Sequence, residues 1–211
     1  MHWSAPPGTV GLIFDCDGTL ADTMPIHYRA WMAMLSRHGI PFDEPTFYSL
    51  GGMPTAQIIR LLSGETGVPV ADVEAMVAEK ESAFLLHLEA VQAIPPVLQI
   101  AERYRGELPM AVASGGYRAV VMQTLERIGV VSWFSAVVCA EDTPRHKPEP
   151  DVFLEAARRL GVSEPERCVV FEDTDIGLEA ARRAGMQGVD VRPWLPPRVG
   201  ERQVIRNLEM S

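Results

Sequence analysis

The sequence predicts an α/β fold: a doubly wound parallel sheet interrupted after its first strand by an all-helical insert. Three observations carry this reading. Residues 10–14 form a mostly apolar run, Val10-Gly11-Leu12-Ile13-Phe14, that ends on Asp15-Cys16-Asp17-Gly18. This is the profile of a buried parallel strand delivering charge to one edge of a sheet. About seventy residues of helical spacing follow without a strand signal. From Pro95 to residue 191 helix and strand then alternate, which implies right-handed crossovers and parallel pairing. The expected division is a core domain of residues 1–22 and 94–211 and a helical domain of residues 23–93.

Each element follows from local pattern. Gly18 lets the chain turn sharply away from the first strand. Pro25 suits a first helical turn, and Ile26, Ala30, Trp31, Met34 and Leu35 recur at helical spacing until Gly39. Pro54 opens a second helix with Ile58, Ile59, Leu61 and Leu62, ending near Gly64. A third runs from about residue 71 to residue 91, with Val73, Met76, Val77, Phe84, Leu88 and Val91 on one face and acids on the other. Trp31 and these apolar stripes read as core. A helix with Val97, Leu98, Ile100 and Ala101 precedes the strand 110–114, and one with Val121, Leu125 and Ile128 stops at Gly129 before the strand 136–140. Pro150-Asp151 opens a helix with Val152, Phe153, Ala156 and Leu160, closed by Gly161. The strand 168–171 feeds Glu172-Asp173, a helix with Ile176, Ala180, Ala181 and Ala184 closes at Gly185, and a last short strand spans 188–191. The tail from Arg192 is rich in proline and arginine and receives no assignment.

A chain of 211 residues with 47% hydrophobic and 22% charged content can bury a sizeable core and a second small domain. The net charge of −9 argues against nucleic acid and anionic membrane as partners, because both require a basic face. An anionic substrate would then need local help from a metal or a lysine. Cys16, Cys139 and Cys168 are scattered without metal or disulfide spacing, so they read as small core residues in a reducing compartment. Residues 1–8 lack the apolar region of a signal peptide, and no segment has the ~18 unbroken apolar residues of a membrane span, so a cytoplasmic protein is expected.

The polar residues fall at strand ends. Asp15, Ser114, Glu141-Asp142 and Glu172-Asp173 each lie at or just past the carboxyl end of an expected parallel strand, where open α/β sheets bind ligands. Asp15 and Asp17, two apart, lean to one side in extended backbone. Two like charges so close call for a cation between them or a retained proton. The plainer reading is a strand end followed by a turn. Ser114-Gly115-Gly116 opens a helix, which makes it either an ordinary N-cap or a site for an anion such as phosphate.

With Asp15-x-Asp17-Gly18-Thr19, the Ser114 strand end, Lys147-Pro148-Glu149-Pro150-Asp151 and Glu172-Asp173-Thr174-x-x-Gly177 in that order, the chain resembles the haloacid dehalogenase superfamily of phosphotransferases over nearly its whole length. The helical insert resembles the cap of the β-phosphoglucomutase-like subgroup. Leu50-Gly51-Gly52-Met53-Pro54-Thr55 and Gly188-Val189-Asp190-Val191-Arg192 are similar to bacterial fructose-1-phosphate phosphatases. The resemblance implies a Rossmann-like core, a small-molecule sugar phosphate as substrate, Mg2+ as cofactor, and a monomer or weak homodimer. It implies that Asp15 is the nucleophile and Asp17 the general acid and base. Magnesium would be held by Asp15, the backbone carbonyl of Asp17 and Asp173, with Glu172 helping directly or through water. Ser114 and the Gly115 N–H would hold phosphate oxygens, and Lys147 would offset the charge of phosphate and nucleophile. Thr23, His27 and Lys80 either face the sugar from the cap or are structural.

The sequence therefore reads as a magnesium-dependent sugar phosphatase. The alternatives are a sugar phosphomutase and, from another class, a non-enzymatic binding protein on the same scaffold, which would have lost one of Asp15, Asp17, Lys147 or Asp173. A mutase must grip a second phosphoryl group in the cap, yet Gly51 and Thr55 stand where a mutase resemblance implies lysine and arginine. Arg60 or Lys80 would have to reach in from elsewhere. With β-glucose 1-phosphate, magnesium and a trace of the 1,6-bisphosphate, the expected outcome is release of inorganic phosphate without isomerisation. Rapid formation of glucose 6-phosphate with little free phosphate would overturn it.

Overall fold

The computed structural model describes residues 3–195. Strand β1 (Gly11–Phe14) is followed by β2 (Ala21–Asp22), the helices α1 (Met24–Arg37), α2 (Glu44–Ser49), α3 (Thr55–Thr66) and α4 (Val73–Leu85), and β3 (Gln92–Ala93). Alternation then begins with α5 (Pro95–Tyr104), β4 (Met110–Ala113), α6 (Arg118–Arg127) and β5 (Ala136–Val138). It closes with α7 (Asp151–Arg159), β6 (Cys168–Glu172), α8 (Asp175–Arg183) and β7 (Gln187–Asp190). Among the described residues no helix is long and apolar enough to cross a membrane.

Five strands form one sheet in the order β5, β4, β1, β6, β7, and every pair is parallel. The first strand is central, with Phe14 opposite Val112 on one side and Phe171 on the other. Alternation along β1 explains the double winding. Leu12 and Phe14 pack with Val97, Ala101, Tyr104, Val121 and Leu125 from α5 and α6, while Ile13 packs with Phe153, Ala156 and Ala180 from α7 and α8. Both faces of the strand are thus buried, which is why it reads as a continuous apolar run. The rings of Phe14 and Phe171 stack 4.6 Å apart at 6°, and Trp3 meets Phe171 edge-on at 4.8 Å.

The helical insert carries its own cluster, in which Trp31, Met34 and Leu35 of α1, Phe47 of α2, Ile59 and Leu62 of α3, and Met76 and Val77 of α4 come together. Its boundaries differ from the sequence reading in physically simple ways. The short helix α2 escapes periodicity, although Asp43 caps it by accepting the Thr46 N–H at 2.9 Å. Helix α3 runs through Gly64 and stops at Gly67 with φ 72°. The cost of about 1 kcal/mol for an interior glycine is offset by burial of Ile58, Ile59 and Leu62, whereas only a left-handed residue ends the helix. Leu61 is on the exposed side. Helix α4 ends at Leu85, and Leu88 lies in a separate 3-10 turn, Leu88–Ala90. The segments entering and leaving the insert pair antiparallel as β2 and β3, with Ala21 opposite Ala93. Two residues are too few for any period to register. The last part of the tail, residues 196–211, lies outside the described residues.

Phe171→Ala is expected to cost about 3–5 kcal/mol, since it opens a cavity beneath both Phe14 and Trp3. Urea unfolding measures it, and a loss under 1 kcal/mol would show that the aromatic stack does not anchor the sheet.

Candidate active site

Parallel register brings the ends of β1, β4 and β6 to one edge, and one lysine ties them together. Lys147, from the loop before α7, is 1% exposed and donates to Asp15 Oδ1 at 2.6 Å, to Glu172 Oε1 at 2.7 Å and to the Ala113 carbonyl at 3.3 Å. Asp15 lies one residue past β1, where its N–H continues the ladder to the Phe171 carbonyl at 3.0 Å. Burial opposes charge on the Lys147 ammonium, but Asp15 and Glu172 outweigh it and push its pKa up. Burial lifts the Asp15 carboxyl well above the usual carboxylate range; Lys147 pulls it down, while Glu172 and Asp173 add to the rise.

The other two carboxylates of this edge are held differently. Glu172 is fully buried, and its Oε2 accepts from the Thr174 N–H at 2.7 Å and the Thr174 hydroxyl at 2.8 Å. Both its oxygens are therefore engaged. A Cβ on Gly177 would lie 1.9 Å from Oε1, so only glycine lets α8 approach this closely. Asp173 accepts from the Thr19 hydroxyl at 3.0 Å. Burial and the neighbouring Glu172 push its pKa up to about 8, against the Thr19 hydrogen bond and Lys147. It lies over Gly18, whose φ is 85° and whose absent Cβ would meet Asp173 Oδ2 at 2.3 Å.

Asp17 does not pair with Asp15 in the way a straight extended backbone suggests. The chain turns at Gly18, and Asp17 Oδ1 accepts from the Thr23 hydroxyl at 2.7 Å and contacts His27 Nε2 at 3.1 Å. Lys80 Nζ lies 3.0 Å from His27 Nδ1. An ammonium can only donate there, so the ring proton sits on Nε2 and points at Asp17. Burial would raise the Asp17 carboxyl, but His27, the Thr23 hydrogen bond and Lys80 together hold it at about 2. Burial and then Lys80 lower the His27 pKa. The three residues offered by the sequence as sugar-facing or structural, Thr23, His27 and Lys80, thus converge on the second aspartate from α1 and α4.

The structure corrects two strand-end readings. Ser114 is not a helix N-cap, because α6 begins only at Arg118; its hydroxyl instead accepts the Gly116 N–H at 3.0 Å in a turn. Glu141 and Asp142 do not join the site. Glu141 accepts from the Arg118 N–H at 3.0 Å and Asp142 pairs with Arg159 at 2.8 Å, so they brace β5 against α6 and α7. Arg60 pairs with Glu74 at 3.6 Å on the surface and stays 61% exposed. Gly115 lies beneath the insert: a Cβ there would be 2.2 Å from the Gly52 carbonyl oxygen.

A cavity lies between these surfaces. Asp15, Asp17, Ser114 and Gly115 line its sheet side, and His27, Trp31, Phe47, Thr55, Lys80 and Glu81 its helical side. Among the described residues no three carboxylate, imidazole or thiol groups converge on a metal position. Sequence reading placed Thr55 in the cap loop that faces the site but overlooked Glu81 as a wall residue. Glu81 accepts from Thr55 Oγ1 at 2.6 Å and lies 3.1 Å from Lys80 Nζ, though its one-dimensional signal is that of an ordinary acid on a helix.

The chain is similar to known proteins over most of its length. The chain is 41% identical over 183 residues to fructose-1-phosphate phosphatase YqaB of Escherichia coli (strain K12), covering 86% of this chain and 96% of that protein. It is 28% identical over 193 residues to the β-phosphoglucomutase of Bacillus subtilis (strain 168), covering 88% and 84%. The crystal structure of a hydrolase from Pseudomonas syringae superposes with a TM-score of 0.79 at 26% identity, over 92% of this chain and 90% of that one. Residues 12–191 match the haloacid dehalogenase-like hydrolases, and the chain belongs to that family.

Proposed function

We propose that this protein is a phosphatase of small phosphorylated sugars resembling fructose 1-phosphate, working through an aspartyl phosphate on Asp15. The observation that carries the reading is Asp15, pinned 2.6 Å from a buried ammonium and open to a cavity roofed by helices. The 41% identity to a fructose-1-phosphate phosphatase supports the substrate class. In this reading residues 23–93 form the cap domain over a core of residues 1–22 and 94–211. A monomer or weak homodimer belongs to this reading, and three buried free thiols suit the reducing cytoplasm.

The reaction divides into two displacements. An Asp15 carboxylate oxygen attacks phosphorus, the bond from phosphorus to the sugar oxygen breaks, and Asp17 protonates the departing oxygen. Asp17, now a base, takes a proton from water; the water oxygen attacks phosphorus, and the bond to Asp15 breaks to release inorganic phosphate. A carboxyl held at about 2 begins in the base form, so the first step needs a proton that a nearby phosphate dianion favours by raising this pKa. His27 Nε2–H keeps Asp17 oriented through both halves. The Ser114 hydroxyl and Gly115 N–H flank the phosphate position, and Lys147 offsets the charge developing there.

The residues present fit magnesium. One ammonium faces Asp15 and Glu172, with Asp173 adjacent, which leaves surplus hard-oxygen charge that burial penalises. Asp15, Asp173 and the Asp17 carbonyl would hold the ion, whereas Glu172, with both oxygens engaged, serves to hold Lys147 and Thr174. When bound, the ion supplies neutralisation of the phosphate and of the nucleophile. A mutase reading meets a cavity wall in which Lys80 is already engaged by His27 and Glu81.

Asp15→Asn is expected to reduce phosphate release from fructose 1-phosphate by about a thousandfold or more with its circular dichroism unchanged. Appreciable turnover by the folded variant would overturn the covalent mechanism. Chelation should stop the reaction and magnesium restore it. A binding readout follows from Asp173, whose folded carboxyl holds its proton up to about 8 against an ordinary value of 3.8. Between those values the metal-free folded state binds more protons than the unfolded chain, so its stability falls as pH rises. Magnesium takes the deprotonated carboxylate and counters that loss, so the magnesium-induced rise in melting temperature should be larger near about pH 9 than near about pH 6. Equal shifts at both would exclude Asp173 as a ligand.

A further inference from the structure

The helical wall of the cavity carries a buried charge pair whose carboxylate, Glu81, the mechanism does not use. Lys80 and Glu81, consecutive on α4, have side chains only 5% and 13% exposed and lie 3.1 Å apart. The ammonium reaches both carboxylate oxygens, at 3.2 and 3.1 Å, and its other hydrogen-bonding contact is His27 at 3.0 Å. Glu81 also accepts the Thr55 hydroxyl at 2.6 Å, which ties α4 to the start of α3. Counted from the acid-base carboxylate, the hydrogen-bonded path runs Asp17, His27, Lys80, Glu81, Thr55. Glu81 therefore sits on the wall that faces the non-reacting end of a substrate whose phosphate is at Asp15. No arginine lines this cavity among the described residues.

This arrangement has a consequence for the substrate. A second phosphoryl group at the far end would need an unpaired cation, but the ammonium in this wall is cancelled by a carboxylate in direct contact. A sugar hydroxyl, by contrast, can donate to a Glu81 oxygen. We propose that Glu81 is a specificity residue that restricts the site to monophosphates with an uncharged, hydroxyl-bearing far end and refuses bisphosphates. It acts by repulsion of the second phosphate and by neutralising Lys80. The proposal rests on the phosphatase reading above and adds to it the charge of the substrate's far end.

The test compares kcat/KM for fructose 1-phosphate with that for the 1-phosphate of fructose 1,6-bisphosphate, followed as fructose 6-phosphate. It uses the full chain with magnesium and two variants checked for folding by circular dichroism. Glu81→Gln is isosteric and keeps a partner for Thr55, and Glu81→Met removes both charge and acceptor. In the wild type the monophosphate should be strongly preferred. Either variant should raise the bisphosphate-to-monophosphate ratio about tenfold, the size expected for removing one like charge a few ångströms from a partly screened phosphate. A purely structural role would lower both values together and leave the ratio unchanged, which would overturn the proposal. Equal use of both substrates by the wild type would also overturn it. A wild type that releases no phosphate from fructose 1-phosphate or any other sugar monophosphate would instead remove the phosphatase reading, and this inference with it.

Discussion

The buried ammonium of Lys147 is the contact on which the rest of this structure depends. Three strand ends arrive at one sheet edge carrying Asp15, the Ala113 carbonyl and Glu172, all oxygen and mostly anionic, and a single side chain 1% exposed bridges them. Without it, two buried carboxylates would face each other unscreened, a state costing several kcal/mol per uncompensated ion. With it, the nucleophile is oriented, yet the edge still carries more negative charge than one cation can balance. The site is built around that residual demand for a divalent ion and a phosphate.

Small residues make the edge possible. Gly18 and Gly177 leave the room that Asp173 and Glu172 occupy, and Gly115 lets the Gly52 carbonyl of the insert come down onto the Ser114 turn. Backbone thus approaches backbone across the cavity mouth. The same closeness couples the insert to the chemistry: α1 and α4 reach Asp17 through His27 and Lys80, so the proton affinity of the acid-base carboxylate is set by residues outside the sheet.

The pKa pattern separates the two aspartates of the first motif by role. Asp15 is raised by burial and by its carboxylate neighbours, while Asp17, two residues beyond it but turned toward the helical wall, is held at about 2 by hydrogen bonds and positive charge. Environments that drive two neighbouring carboxyls apart in this way suit distinct nucleophile and acid-base duties.

By itself the sequence determined the alternation of strands and helices, the burial of the first strand on both faces, the helical insert after it and the spacing of Asp15, Asp17, Ser114, Lys147, Glu172 and Asp173. These are legible because continuous apolar runs, helical periods and glycine stops are local signals, and because burial on both faces leaves a strand no polar side to hide. Tertiary structure alone decided which polar residues meet. Glu141 and Asp142 look like Glu172 and Asp173 in the chain, yet arginines of α6 and α7 draw the first pair away from the cavity. Glu81 looks like an ordinary surface acid, but the packing of α3 against α4 places it in the wall, where it accepts the Thr55 hydroxyl. A side chain's charge is written in one dimension, but Glu172 and Asp15 meet the ammonium that offsets them 25 and 132 positions away in the chain, and only folding makes that contact.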